Sequence, residues 1–505
     1  TTRHDTTRHD TTRHDTTRHD TWAGWTFLGR GVGESPRESV HFRWSGADAD
    51  ADADADVAEV NMEVLLSRLS NSKDAALRAA ALSELNSKLG ASTVRISALS
   101  LSSVAGSWRV ENDERSYPAL RSRRNLGNNC PDEVVESLLR GVREAGVPLC
   151  KRYYSLKKAL LRKTQGLETF RWSDRNAPVD IPTGAGGEGA EEKKEEDDKI
   201  PWDEAVRMVE RGYRKFSPAM AEMFLDMVKE KRIDVPPTDG KKGGAYCAGV
   251  VPGLGPFQLL NFDGTKRDVA TLAHESGHGC HDILAYSKGY LQYHPPLTLA
   301  ETASIFGEMI VFRDLLDLAS TPAERLSLLM SKIDDVINSV VRQCSFDYFE
   351  ELAHEARKKG ELSAEELDAF WIQATETYYG KAGGGGEDGK KGGGGNDSPF
   401  DSYDDISHLW AYVPHFHHVP FYVYSYAFAD LVVGALYKSY VDAPEGFEDR
   451  LLNLLRAGGT VGFAEALGPF GLELDSPAFW AEALEAHLGG LVGEAERLAE
   501  ELGYA

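Results

Sequence analysis

The stretch TLAHESGHGCHDILA, residues 271–285, constrains this chain more than any other. His274, Glu275 and His278 spell H-E-x-x-H, a pattern that holds a metal ion only on a helix, where residues four apart project from one face. The flanking sequence predicts that helix. Thr265 is placed to act as N-cap with Asp268 three residues on, a box-like arrangement at the positive end of the helix dipole. Val269, Leu272, Cys280 and Ile283 recur at helical spacing and give the segment a core side opposite the histidines. Neutral imidazoles are good zinc ligands. Glu275, about 100° round from His274, is set to take a proton from an activated water instead of binding the ion. The bland alternative is two histidines on an ordinary exposed helix, and the motif alone leaves both open.

A third ligand decides between them, and the sequence offers one in PPLTLAETASIFGEM, residues 295–309. The prolines end one element, Thr298 can cap the next helix, and Glu301 falls on its first turn. T-x-x-E is a capping box, so this carboxylate can be satisfying the Thr298 backbone N–H. It can equally complete three protein ligands around zinc, with the fourth position left for water. Glu308 lies two turns further on, roughly 10 Å by helical rise, which suits support of a ligand better than a share of the ion. His281 is on the stripe of His274 and His278 but two turns from His274, and reads as a supporting or core residue.

These segments carry a resemblance. GGAYCAGVVPGLGPFQLLNFDGTKRDVATLAHESGHGCH, followed by PLTLAETASIFGEM, resembles the oligoendopeptidase F branch of the thimet-oligopeptidase-like zinc metallopeptidases. The likeness extends to LWAYVPHFHHVPFYVYSYAFADLVVGALY (409–437), LETFRWSDRNAPVDIP and CKRYYSLKKALL, covering roughly residues 60 to 495. It implies a mainly α, two-lobed zinc peptidase with a deep channel and a small β-sheet beside the active site. It also implies one Zn2+ ion on His274, His278 and Glu301, Glu275 as catalytic base, and short unfolded oligopeptides as substrates. In the family a His and a Tyr are brought over the metal, where donors can meet the oxyanion that amide hydrolysis builds. The matching positions are His415 with Tyr422 or Tyr424. The two tyrosines are about 200° apart on a helix, so they cannot both face inward equally.

The chain's 505 residues exceed one average core, which predicts two lobes. The net charge of −24 argues against nucleic acid and anionic membrane as partners. No apolar run reaches the ~18 residues of a membrane span, and no secretory signal opens the chain. Cys130, Cys150, Cys247, Cys280 and Cys344 are scattered, odd in number and without C-x-x-C. A reducing compartment follows, cytoplasmic or an organelle stroma or matrix. Cys280 reads as a small buried hydrophobe.

In chain order, residues 1–56, with TTRHD repeated over 1–20 and an Ala-Asp alternation at 47–56, have no apolar face to bury and are expected to be disordered. Residues 57–200 read as a helical amino-terminal lobe, shorter than family members usually carry, with a charged insert at 183–199. Residues 201–505 read as the catalytic domain, interrupted by a glycine-rich insert at 381–395. GKKGG lacks the G-K-[ST] ending of a phosphate loop. PFQLLNF (256–262) has the length of a short strand, and by resemblance it is an edge strand whose free N–H and C=O groups face an extended peptide. The sequence leaves oligomeric state open. Two other activities also stay open: a zinc carboxypeptidase or dipeptidase of the same superfamily, and a catalytically silent peptide-binding scaffold.

Overall fold

The computed structural model describes residues 42–44, 58–60, 62–182, 199–238, 241–242, 244–383 and 398–504. The TTRHD repeat, the Ala-Asp alternation and nearly all of both inserts lie outside the described residues. β1 (Phe42–Trp44), within the stretch expected to be disordered, pairs antiparallel with β2 (Ala58–Val60), just after it.

The rest is mainly helical, because apolar residues recur at intervals of three and four along most of its length. Met62–Asn71 is followed by Ala75–Lys88, where the Asp74 side chain accepts from the Ala76 N–H at 2.8 Å. The longest helix, Asp132–Gln165, runs 34 residues and ends at Gly166, whose positive φ of 66° suits a left-handed cap. Trp202–Phe216 and Pro218–Lys229 are separated by Ser217, whose hydroxyl accepts from the Met220 N–H. One buried apolar cluster runs from Leu65 to Ala499, so the expected lobes share a continuous core. At its centre is the helix Tyr424–Asp442, buried along most of its length.

The small sheet has the order β3 (Ile233–Asp234), β5 (Phe257–Leu259), β4 (Tyr246–Ala248), with β3 parallel and β4 antiparallel to β5. This corrects the reading of PFQLLNF as an edge strand. β5 is flanked on both sides, with Gln258 opposite Ile233 and Cys247, and β3 and β4 are the edges, the chain after β4 continuing to Gly249 in a small pocket with His278 and His281.

The packing that positions the site is between the helices Lys266–Ala285 and Thr302–Leu318. They approach so closely that a Cβ on Gly277 would lie 2.5 Å from the Ala303 carbonyl oxygen and 2.6 Å from the Ser304 Cα. Glycine is the residue that fits there.

Candidate active site

The motif helix forms where the caps place it. Thr265 accepts from the Asp268 N–H at 3.1 Å and the Asp268 carboxylate accepts from the Thr265 N–H at 2.9 Å, a complete capping box. Val269, Leu272 and Cys280 are fully buried on its core side, Cys280 turning its thiol to the Met220 carbonyl.

On the other side, His274 and His278 converge with Glu301. Glu301 Oε2 lies 3.4 Å from His274 Nε2 and 3.2 Å from His278 Nε2, and one ligand atom from each residue falls within 4.8 Å of the others. Neither Nε2 atom has a hydrogen-bond partner although both are shut off from solvent. Buried polar atoms left in that state call for a partner, and two imidazoles with one carboxylate form a donor set suited to hydrolytic zinc. The residues therefore fit the ion.

Glu301 is not tied up as a cap. Thr298 occupies the second position of the short helix Leu297–Ala300, which starts after Pro296, and its buried hydroxyl has no partner. The capping-box alternative is thereby removed. Glu301 instead stands at the junction before Thr302–Leu318, where the Ser304 hydroxyl donates to its Oε2 at 2.8 Å.

Glu308, two turns along the same helix, reaches the far side of His274. Its Oε2 is 3.3 Å from His274 Nδ1, and its Oε1 accepts from Lys332 Nζ at 2.5 Å. Such a carboxylate fixes the ring's tautomer and makes its other nitrogen a better ligand. Burial disfavours the Glu308 charge, but Lys332 and His274 outweigh it and bring the carboxyl to about 2. Burial likewise opposes a proton on His274, and the Glu301 and Glu308 carboxylates reverse that to about 10. The pocket around this imidazole is thus strongly anionic, the field a divalent cation would meet. His281 lies away from the cluster, buried against the backbone of Ala300, with burial and then His278 holding it to about 3.

Glu275, 1% exposed, lines a cavity of about 280 Å³ together with His274, Arg267, Tyr412, His415 and Tyr426. His415, in the short helix His415–His418, places Nε2 3.1 Å from the Tyr426 hydroxyl. Burial and then His418 lower its pKa to about 4, so the ring is neutral near pH 7. Tyr424 is not among the residues lining this cavity. That residue begins the helix Tyr424–Asp442, is fully buried, and accepts from Asn128 Nδ2 at 2.8 Å. Tyr422 packs its ring 6.0 Å from His415 and 5.4 Å from Tyr426. Tyr426, which the structure sets beside His415 in the cavity wall, was not among the positions singled out from the sequence. Tyr422 lies in the turn ahead of the helix Tyr424–Asp442, so helical spacing does not relate the two positions.

A profile of peptidase family M3 matches residues 68–486. The chain belongs to this family. Within peptidase family M3, the oligoendopeptidase F of Lactococcus lactis subsp. cremoris is 27% identical over 388 residues, covering 76% of this chain and 58% of that protein. The oligopeptidase PepF of Bacillus subtilis is 26% identical over 371 residues, covering 72% and 49%. These relatives place this M3 chain on the oligoendopeptidase F branch, and it spans less than two thirds of their length. The crystal structure of oligoendopeptidase-F from Enterococcus faecium superposes with a TM-score of 0.63 at 20% identity, covering 88% of this chain and 67% of that one. No helix among the described residues is long and apolar enough to cross a membrane.

Proposed function

We propose that this chain is a zinc-dependent endopeptidase that hydrolyses internal bonds of short unfolded oligopeptides. The observation that carries the reading is the convergence of His274 Nε2, His278 Nε2 and Glu301 Oε2, with His274 also lining the cavity that holds Glu275, His415 and Tyr426. His274, His278 and Glu301 hold one zinc ion. When bound, the ion supplies Lewis acidity toward a peptide carbonyl and makes water acidic enough to be deprotonated near neutral pH. Glu275 takes the proton of the attacking water and returns it to the leaving amine. His415 and Tyr426 donate hydrogen bonds where the scissile carbonyl becomes an oxyanion. Glu308, held by Lys332, keeps His274 oriented.

The edge strand β4 beside the motif helix supports an extended substrate backbone, which suits broad sequence tolerance. The five free cysteines support a reducing, cytoplasm-like compartment.

The test is Glu275→Gln on a quenched internal-cleavage peptide, read beside metal content. Zinc at one equivalent with hydrolysis reduced at least ~100-fold is expected for loss of the general base. Near wild-type turnover refutes the assignment. Mass spectrometry of wild-type products separates internal from terminal cuts.

A further inference from the structure

Around the turn Trp172–Asp174 the protein buries three cations, Arg78, Lys157 and Arg175. Two of them have carboxylates. Arg78 donates to Asp174 Oδ1 at 3.0 and 2.6 Å, and Lys157 donates to Asp334 Oδ2 at 2.6 Å, where the Tyr153 hydroxyl also donates to Oδ1. Arg175 is only 4% exposed, yet among the described residues no carboxylate lies within ion-pair distance of it. Its guanidinium donates to Asn338 Oδ1 and sits 5.0 Å from the centroid of the Trp172 ring. Burial disfavours the charge of this guanidinium, and Tyr154, Tyr379, Tyr412 and the Asp334 carboxylate offset that, so it stays charged with no carboxylate in direct contact.

Arg175 lines a recess of about 20 Å³, with Ser173, Asn176, Arg342 and Tyr412 among its other walls and no carboxylate in them. Ser173 is 3% exposed and its hydroxyl has no hydrogen-bond partner. Arg342, 3% exposed, extends Nη2 to 3.1 Å from the Tyr412 hydroxyl. A recess of this volume has room for a small polar end group and no more, since a single water needs roughly 10–15 Å³ on the same measure. Leu66, Ser70, Asn176 and Tyr412 are shared with the larger cavity that contains Glu275 and His274, so the two spaces adjoin.

We propose that this recess is a carboxylate subsite that receives the C-terminal carboxylate of the peptide, with Arg175 as its counter-ion and Ser173, Arg342 and Tyr412 as further donors. A planar guanidinium matches a carboxylate with two parallel hydrogen bonds, and each is stronger for being charge-assisted and buried. The recess admits the end group and not a continuing chain, so it measures peptides from their C-terminus and favours short ones. This inference rests on the peptidase reading and adds the feature of the substrate that is recognised away from the scissile bond.

The test uses the zinc-loaded full chain and two fluorogenic peptides identical except that one ends in a free acid and the other in an amide. Kcat/KM for the amide is expected to fall by about 10- to 100-fold, the value of one charge-assisted contact, mostly through KM. Arg175→Gln should shrink the acid-to-amide ratio toward one, and the milder Ser173→Ala should reduce it without disturbing Asn338 or Trp172. Equal rates for acid and amide in the wild type overturn the subsite. So does a ratio that stays at one while hydrolysis follows added chloride, which would assign the recess to a free inorganic anion. If neither peptide is cut, the peptidase reading fails instead. Fluorescence polarisation of the labelled acid and amide on the same protein then decides the subsite, and equal affinities overturn it.

Discussion

Gly277 meets the backbone of Ala303 at a separation where a Cβ would stand 2.5 Å from the carbonyl oxygen. The helix of the two histidines and the helix that Glu301 precedes are therefore as close as backbones permit, and the carboxylate can reach both imidazoles from that distance. Gly277→Ala should push them apart, at about 1–3 kcal/mol of stability for overpacking and at least ~10-fold in zinc affinity. Gly127 has nothing within 4 Å of an added Cβ, so Gly127→Ala is the control that leaves both intact. Chelator competition and thermal melting of the two variants check the prediction, and unchanged zinc affinity in Gly277→Ala would contradict it.

Glu308 bridges Lys332 and His274, which gives its removal two separable consequences. Glu308→Gln should lower zinc affinity by about 10–100-fold through loss of the partner of Nδ1. It should also destabilise the fold by about 1–3 kcal/mol, because Lys332 loses the carboxylate it donates to and keeps the attraction of Asp335 and Asp430. Adding Lys332→Met should recover stability and leave zinc binding weak. Recovery of both together would mean that Glu308 acts only through the fold.

Tyr426 and Tyr424 are two residues apart and are expected to respond oppositely to loss of the hydroxyl. Tyr426→Phe removes the donor beside His415 and should lower kcat by about 10–1,000-fold with KM little changed. Tyr424→Phe removes the acceptor of the Asn128 amide, buried away from the cavity, and should reduce stability by about 1 kcal/mol while kcat holds. Stopped-time peptide assays beside denaturant melts distinguish the two, and a kcat loss in Tyr424→Phe alone would reverse the assignment.

What could be read without coordinates was what depends on short-range order. The motif helix was legible because Thr265, Asp268 and the spacing of Val269, Leu272 and Cys280 are local and agree with one another. Whether Glu301 caps its helix or faces the histidines could not be read locally, because T-x-x-E supports both; the close approach at Gly277 settles which atoms it meets. Tyr426 escaped notice because the turn ahead of Tyr424–Asp442 sets which side of that helix faces the cavity, and a turn in a run of aromatics leaves little sequence trace. The place of β5 in the middle of its sheet depends on β3, a two-residue strand too short to show a period. The Arg175 recess joins residues from five separate segments, so no spacing could announce it.

His354 ties stability to acid pH independently of the metal. It is 2% exposed, neither ring nitrogen has a hydrogen-bond partner, and it packs on Phe421 with ring centroids 4.7 Å apart. Burial, and then the charge of Arg121, push its pKa down to about 3. An unfolded-chain histidine titrates near ~6.5, so between that pH and about 3 the unfolded state binds a proton that the folded state refuses. Stability is complete above ~6.5 and falls as pH drops through that window, by about 2 kcal/mol at pH 5. His354→Phe keeps a ring on Phe421 and removes the titration. The variant should therefore gain about 2 kcal/mol on the wild type between pH 7.5 and pH 5. Both proteins are melted with chelator present, so that acid release of zinc from His274 and His278 does not enter the difference. Parallel loss of stability in the two as pH falls would show that His354 is not the group responsible.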